Sequence, residues 1–129
     1  MARLVLDASV IVAFLDDRDS MHEHAVRELA ATDREARIVP ASVLAEVLVH
    51  PHRQGASAVA LVERAVELLA ASVEPLSADI ARAAARLRAR HSRLKLADAM
   101  VLATGQQLDA DVLTADRAVA RIAPRARLV

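Results

Sequence analysis

Arg3-Leu4-Val5-Leu6-Asp7-Ala8-Ser9-Val10 opens the chain with an apolar run that stops at an acid. A short apolar stretch bounded by a charge reads as a buried strand. From Val10 to Leu15 the period of the apolar residues changes, and Ser9 offers an N-cap for a helix that closes near Asp16-Asp17.

The same alternation continues downstream. A second helix is expected over 20–31, with Ala25, Val26, Leu29 and Ala30 on its apolar face. Residues 36–39 form a second short strand stopped by Pro40. Ser42 caps a helix that ends before Pro51, because the residue preceding a proline disfavours helical geometry. A long helix follows over 56–71, then a weak strand over 72–74 before Pro75. Helices are read at 77–91 and 96–107, a strand at 111–114, a short helix at 117–122 and a final strand at 126–129. Strands this short and apolar, alternating with helices, imply a parallel sheet of four to five strands covered on both faces. No repeat, low-complexity tract or linker interrupts the pattern, so one domain over 1–129 is expected.

Composition narrows the class further. The 129 residues are 55% hydrophobic, enough for a core, and folding at this size buries roughly two-thirds of the unfolded surface. Thirty alanines fill much of that core, and Phe14 is the only aromatic residue. No cysteine is present, which excludes disulfides and thiolate metal sites. The apolar runs fall well short of the roughly 18–20 residues of a membrane span, and a cytoplasmic protein is expected. Net charge is zero, but it divides unevenly: residues 1–64 sum to −3 and residues 65–129 to +3.

The placement of the acids carries the functional reading. Asp7 follows the first strand and Asp116 follows the fourth, so both lie at the carboxyl edge of the sheet, where α/β folds place ligands. Glu46 and Asp98 interrupt otherwise apolar helices, in Val43-Leu44-Ala45-Glu46-Val47-Leu48 and Leu96-Ala97-Asp98-Ala99-Met100. Each has a plain alternative: Asp7, Asp98 and Asp116 as helix caps, Glu46 as a partly exposed side chain. Taken together they suggest one acidic cluster. Two carboxylates about 4 Å apart repel by about 4 kcal/mol at an effective dielectric of about 20, so such a cluster calls for a cation. Oxygen-only ligands select Mg²⁺ or Mn²⁺, and such a centre suits a phosphodiesterase or phosphatase.

Leu6-Asp7-Ala8-Ser9-Val10, Glu46, Ala97-Asp98-Ala99 and Leu113-Thr114-Ala115-Asp116 resemble the PIN-domain ribonucleases, specifically VapC-type toxins. The resemblance spans essentially the whole chain and rests on the ordered set of four motifs. It implies an α/β/α sandwich and a Mg²⁺- or Mn²⁺-dependent endoribonuclease acting as the toxin of a type II toxin–antitoxin pair. Asp7, Glu46, Asp98 and Asp116 would be the acidic quartet that holds metal, and Thr114 would orient the site. It also implies an RNA substrate, a small antitoxin partner that often places a basic side chain in the acidic pocket, and a homodimer. Family members commonly carry an aromatic residue three positions after the last Asp; here that position is Val119, which weakens the case for Asp116 as a ligand.

Six basic residues and no acids lie between Ile80 and Ala97. On a continuous helix, Arg82, Arg86, Arg90 and Arg93 share an arc of about 80°. This stripe is the expected RNA-binding face, its alternative being a solvated surface. Arg117, Arg121, Arg125 and Arg127 form a second, weaker candidate. With Phe14 the sole aromatic, RNA would be read through backbone and shape more than by base stacking. His22/His24 and His50/His52 lack completing ligands for zinc. Two other function classes remain: a catalytically weak RNA-binding module that titrates an antitoxin, and a receiver domain. The latter needs a lysine after its last strand, whereas the only lysine, Lys95, precedes a helix.

Overall fold

The computed structural model describes residues 2–129, so Met1, the first residue of the expected domain, lies outside it. Five strands, β1 (Leu4–Leu6), β2 (Arg37–Pro40), β3 (Ser72–Glu74), β4 (Asp111–Thr114) and β5 (Ala126–Leu128), form one sheet in the order β3-β2-β1-β4-β5. Every pairing is parallel. Packed around it are α1 (Ala8–Leu15), α2 (His22–Ala30), α3 (Ala41–Gln54), α4 (Ala56–Leu69), α5 (Ala78–Arg90), α6 (Leu96–Leu108) and α7 (Arg117–Ala120). This is the α/β/α architecture expected from the alternation of elements.

The chain builds outward from β1 through β2 to β3, then returns to the other side of β1 for β4 and β5. Strand order therefore reverses between β1 and β4, and a crevice opens at their carboxyl ends. Leu4, Val5 and Leu6 are all buried because both faces of the central strand are covered. Small side chains bring the helices close: Ala13, Ala25, Ala99 and Ala103 have no exposed surface. At Gly105 a Cβ would meet the Val112 side chain at 2.7 Å, so glycine is what lets α6 lie directly on β4.

Four local expectations are corrected. Helix α3 does not end before Pro51; it runs through Pro51 to Gln54 and stops at Gly55, whose φ of 131° favours glycine. The proline ring is buried, and the helix accommodates it at the cost of one backbone hydrogen bond. Ser9 does not cap α1: it lies inside the helix, and Asp7 stands at the N-cap position. Ser42 is likewise internal to α3, which starts at Ala41 after Pro40. On α2, Ala25 and Leu29 are buried as read, whereas Val26 and Ala30 are exposed.

Arg37 is a buried guanidinium with no carboxylate partner among the described residues. Its Nη1 donates to Leu29 O at 2.7 Å and to Thr32 Oγ1 at 3.1 Å, closing the carboxyl end of α2, while Nε finds no acceptor. Burial lowers its pKa. A cation at a helix carboxyl terminus is favourable, and its removal leaves a carbonyl unsatisfied. Arg37→Ala is expected to cost about 2 kcal/mol, read as a lower urea midpoint with an unchanged m-value. An unaltered midpoint would show that the buried charge costs as much as its contacts contribute.

Candidate active site

Asp7 directly follows β1, and its backbone N–H donates to Leu113 O at 3.0 Å, which sets it beside the end of β4. Its side chain is 4% exposed. The carboxylate does not cap α1; instead Oδ2 accepts from Thr114 Oγ1 at 2.7 Å and from Ser9 Oγ at 2.9 Å. Those two hydroxyls are held in turn: Thr114 Oγ1 accepts from Asp116 N at 3.0 Å, and Ser9 Oγ accepts from Ala115 N at 2.9 Å. The β1–β4 register thus locks the end of one strand to the turn after the other. Oδ1 of Asp7 has no donor among the described residues.

Asp7, Glu46, Asp98 and Asp116 all line one cavity of about 580 Å³ at this edge. Thr114 lies fully buried beneath it. Asp98 stands half-buried in the first turn of α6 with no hydrogen-bond partner among the described residues, so it is not a cap. Glu46 reaches the cavity from the exposed side of α3. Asp116 fulfils its plain alternative while also lining the wall: Oδ1 accepts from Ala118 N at 2.8 Å and caps α7.

The electrostatics of the cavity are unfavourable for its acids. Burial first, then the charges of Asp7, Asp116 and Glu46, push Asp98 up to about 6, against a small opposing effect of Lys95. Glu46 is raised by burial and by Asp7. Among the described residues no three carboxylates or imidazoles stand close enough together to ligate one ion. The fold therefore brings the four acids to one hollow but leaves them apart, as mutual repulsion would.

Sequence reasoning missed three members of this wall: Ser9, Asp19 and Lys95 also line it. Ser9 was read as a cap, and only the approach of β4 gives its hydroxyl a different partner. Asp19, at the α1–α2 connection, accepts from Met21 N at 2.8 Å.

A second hollow of about 390 Å³ adjoins the first and includes Arg90, His91, Arg93 and Lys95, with Asp98 and Asp116 common to both. The arginine stripe is only partly gathered here. Helix α5 ends at Arg90, so Arg93 belongs to the following turn and not to the helical arc expected from the sequence. Arg82, Arg86, Arg90 and Arg93 are all exposed, but Arg82 is paired with Asp79 at 3.2 Å on the first turn of α5, away from the hollow. In the second basic group, Arg125 and Arg127 are occupied by Asp109 and Asp111.

The family model for the PIN domain matches residues 4–124. The chain belongs to the PIN domain family. No curated protein matches its sequence, but solved PIN-like structures match its fold. FitAcB from Neisseria gonorrhoeae superposes with a TM-score of 0.78 at 22% identity, covering 98% of this chain and 96% of that one. VapC20 of Mycobacterium tuberculosis, a sarcin-ricin loop cleaving toxin, gives 0.74 at 22% identity, covering 92% and 93%. A toxin–antitoxin complex from Klebsiella pneumoniae gives 0.73 at 22% identity, covering 88% and 86%. At these identities the likeness is one of fold, and in this PIN domain the acids fall where strand order reverses.

Proposed function

We propose that this PIN domain is a divalent-cation-dependent endoribonuclease that acts as the toxin of a toxin–antitoxin pair. The observation that carries the reading is the single cavity lined by Asp7, Glu46, Asp98 and Asp116 at the β1–β4 crevice. Membership of the PIN family and a fold shared with a sarcin-ricin loop cleaving toxin support it.

The donor set fits a hard cation. All four groups are carboxylates, and Asp98 is pushed up to about 6 by burial and then by neighbouring charges that a bound Mg²⁺ or Mn²⁺ would neutralise. Asp7, Glu46 and Asp98, which stand too far apart to share an ion as they are, would have to draw together to hold it, with Asp116 contributing its oxygen not used in capping. Such an ion lowers the pKa of bound water and stabilises charge on the phosphate.

The protein supplies the positioning. Ser9 and Thr114 fix the Asp7 carboxylate through Oδ2 and leave Oδ1 for other work. Arg90 and Arg93, in the adjoining hollow, offer planar forks to an RNA backbone, with Arg86 and Arg82 continuing the basic surface along α5. The partner proposed is a small antitoxin, in keeping with the toxin–antitoxin complexes among the fold relatives, and a homodimer is the proposed assembly.

Purified protein is expected to cleave RNA with Mg²⁺ or Mn²⁺, to stop on addition of EDTA, and to lose activity as Asp7→Asn. Undiminished cleavage by Asp7→Asn would overturn the site. Binding of RNA without cleavage in either metal would favour instead an inert module that titrates its antitoxin; the separation of the acids in the structure is the observation on that side.

A further inference from the structure

We infer that Lys95 contacts RNA directly, its ammonium holding a non-bridging oxygen of a phosphodiester next to the one cleaved. The inference rests on the ribonuclease reading above and adds to it a residue from outside the acidic quartet and the arginine stripe.

The first observation is position. Lys95 lines both the acidic cavity and the basic hollow beside it. The other residues common to both are Asp98 and Asp116, so among the described residues Lys95 is the one cation at the junction. A strand whose scissile phosphate sits at the acids and whose backbone continues toward Arg93 and Arg90 must pass it.

The second is anchorage. Lys95 is the N-cap residue of α6, with extended backbone, and its carbonyl accepts from Ala99 N at 2.9 Å. Its neighbour Leu94 is buried, and the preceding turn is closed by Leu94 N to His91 O at 2.9 Å and by Arg88 Nη1 to Ser92 O at 3.0 Å. The stem therefore leaves from a fixed point while the exposed side chain stays free to swing.

The third is the absence of a protein partner. Among the described residues no carboxylate oxygen lies within 4.0 Å of the Lys95 ammonium. Arg82, Arg125 and Arg127 show that cations elsewhere on the chain do pair at such distances. An ammonium placed only to neutralise the cavity would rest on one of its acids.

Chemistry then selects the ligand. An acidic cavity repels the polyanion it must admit, and one ammonium at the rim supplies local attraction without closing the cavity. A lysine suits this task because its charge is compact, its stem flexible and its three donors rotatable, so it tracks a phosphate whose position shifts during the reaction. It is the single lysine among 17 Lys and Arg residues.

The test uses a short single-stranded RNA spanning a mapped cut, with a neutral methylphosphonate placed at each flanking phosphate in turn. Binding is read by fluorescence anisotropy in Ca²⁺ and in EDTA, alongside cleavage in Mg²⁺. Lys95→Gln is expected to bind about tenfold more weakly and to flatten the log–log salt dependence by about 0.7. Lys95→Arg should retain most of the affinity. One methylphosphonate should weaken the wild type by the same factor as Lys95→Gln and add nothing to that variant. Thermal midpoints should fall only slightly, since among the described residues the side chain makes no hydrogen bond or ion pair and only weakly offsets the charges of Asp98 and Glu46. Wild-type affinity in Lys95→Gln, or equal sensitivity of both proteins to each methylphosphonate, would overturn the proposal. These outcomes are separable from failure of the wider reading, which would show as a wild-type protein that leaves RNA intact in both Mg²⁺ and Mn²⁺.

Discussion

Asp98→Asn is expected to abolish RNA cleavage and, in the same protein, to stabilise the metal-free fold. The side chain is half-buried, accepts no hydrogen bond, and is pushed up to about 6 by burial and by three neighbouring carboxylates. Asparagine keeps its shape and removes the charge. Because the group is partly solvated, the gain at pH 7.5 is about 1 kcal/mol, a rise of about 3–5 °C in the melting midpoint. The sign follows from proton linkage. Between the ordinary aspartate value of 3.8 and about 6 the folded state holds more protons than the unfolded one, so wild-type stability falls as pH rises through that window. The advantage of Asn is thus absent below it and complete above it. Mg²⁺ or Mn²⁺ should restore wild-type stability and leave the variant unmoved. Loss of a ligand should reduce cleavage more than the 10- to 100-fold that outer-shell changes typically cost, so at least about a hundredfold is expected. Calorimetry at pH 4 and 7.5, with and without Mn²⁺, and a cleavage time course measure both halves. A variant less stable than wild type at pH 7.5 would show that Asp98 is not held against its neighbours' repulsion.

Thr114→Val is expected to act in the opposite sense, lowering both stability and activity. Thr114 is fully buried and its hydroxyl has two duties, donating to Asp7 Oδ2 at 2.7 Å and accepting from Asp116 N at 3.0 Å. Valine fits the same volume but answers neither partner. A buried bond to a carboxylate contributes about 1.5–3 kcal/mol, and an unsatisfied N–H adds to its loss, so about 3 kcal/mol of destabilisation is expected. Asp7 would keep only Ser9 to orient it, and cleavage should fall about 10- to 100-fold. Thr114→Ser keeps the hydroxyl and should recover most of the activity. Equal activity in the valine and serine variants would remove Thr114 from the site.

The contrast between these residues shows how far the sequence could be read. Strands β1, β3 and β4 and helices α5 and α6 lie within a residue or two of their expected bounds, because burial period and end signals are local. Pro51 misled because a buried ring can be accommodated inside a helix whose neighbours cover it. Arg93 misled because its place on the arc assumed a helix continuing past His91, whereas the tight turn at His91–Leu94 carries it off that arc. Ser9 looked like a cap because the Ala115 N–H and the Thr114 hydroxyl that engage its side chain come from the far end of the chain.

The sequence by itself determined an α/β chain with acids at the ends of β1 and β4 and inside two apolar helices, since an isolated charge in an apolar run is visible without a structure. Tertiary structure alone decided their different duties. It made Asp7 the buried partner of two hydroxyls and Asp116 a cap in the cavity wall, and it set Lys95 where the acidic and basic hollows meet. Those assignments depend on contacts such as Thr114 to Asp7, which are 107 residues apart and meet only through the β1–β4 register. Residue spacing along a chain carries no record of which strand will lie beside which.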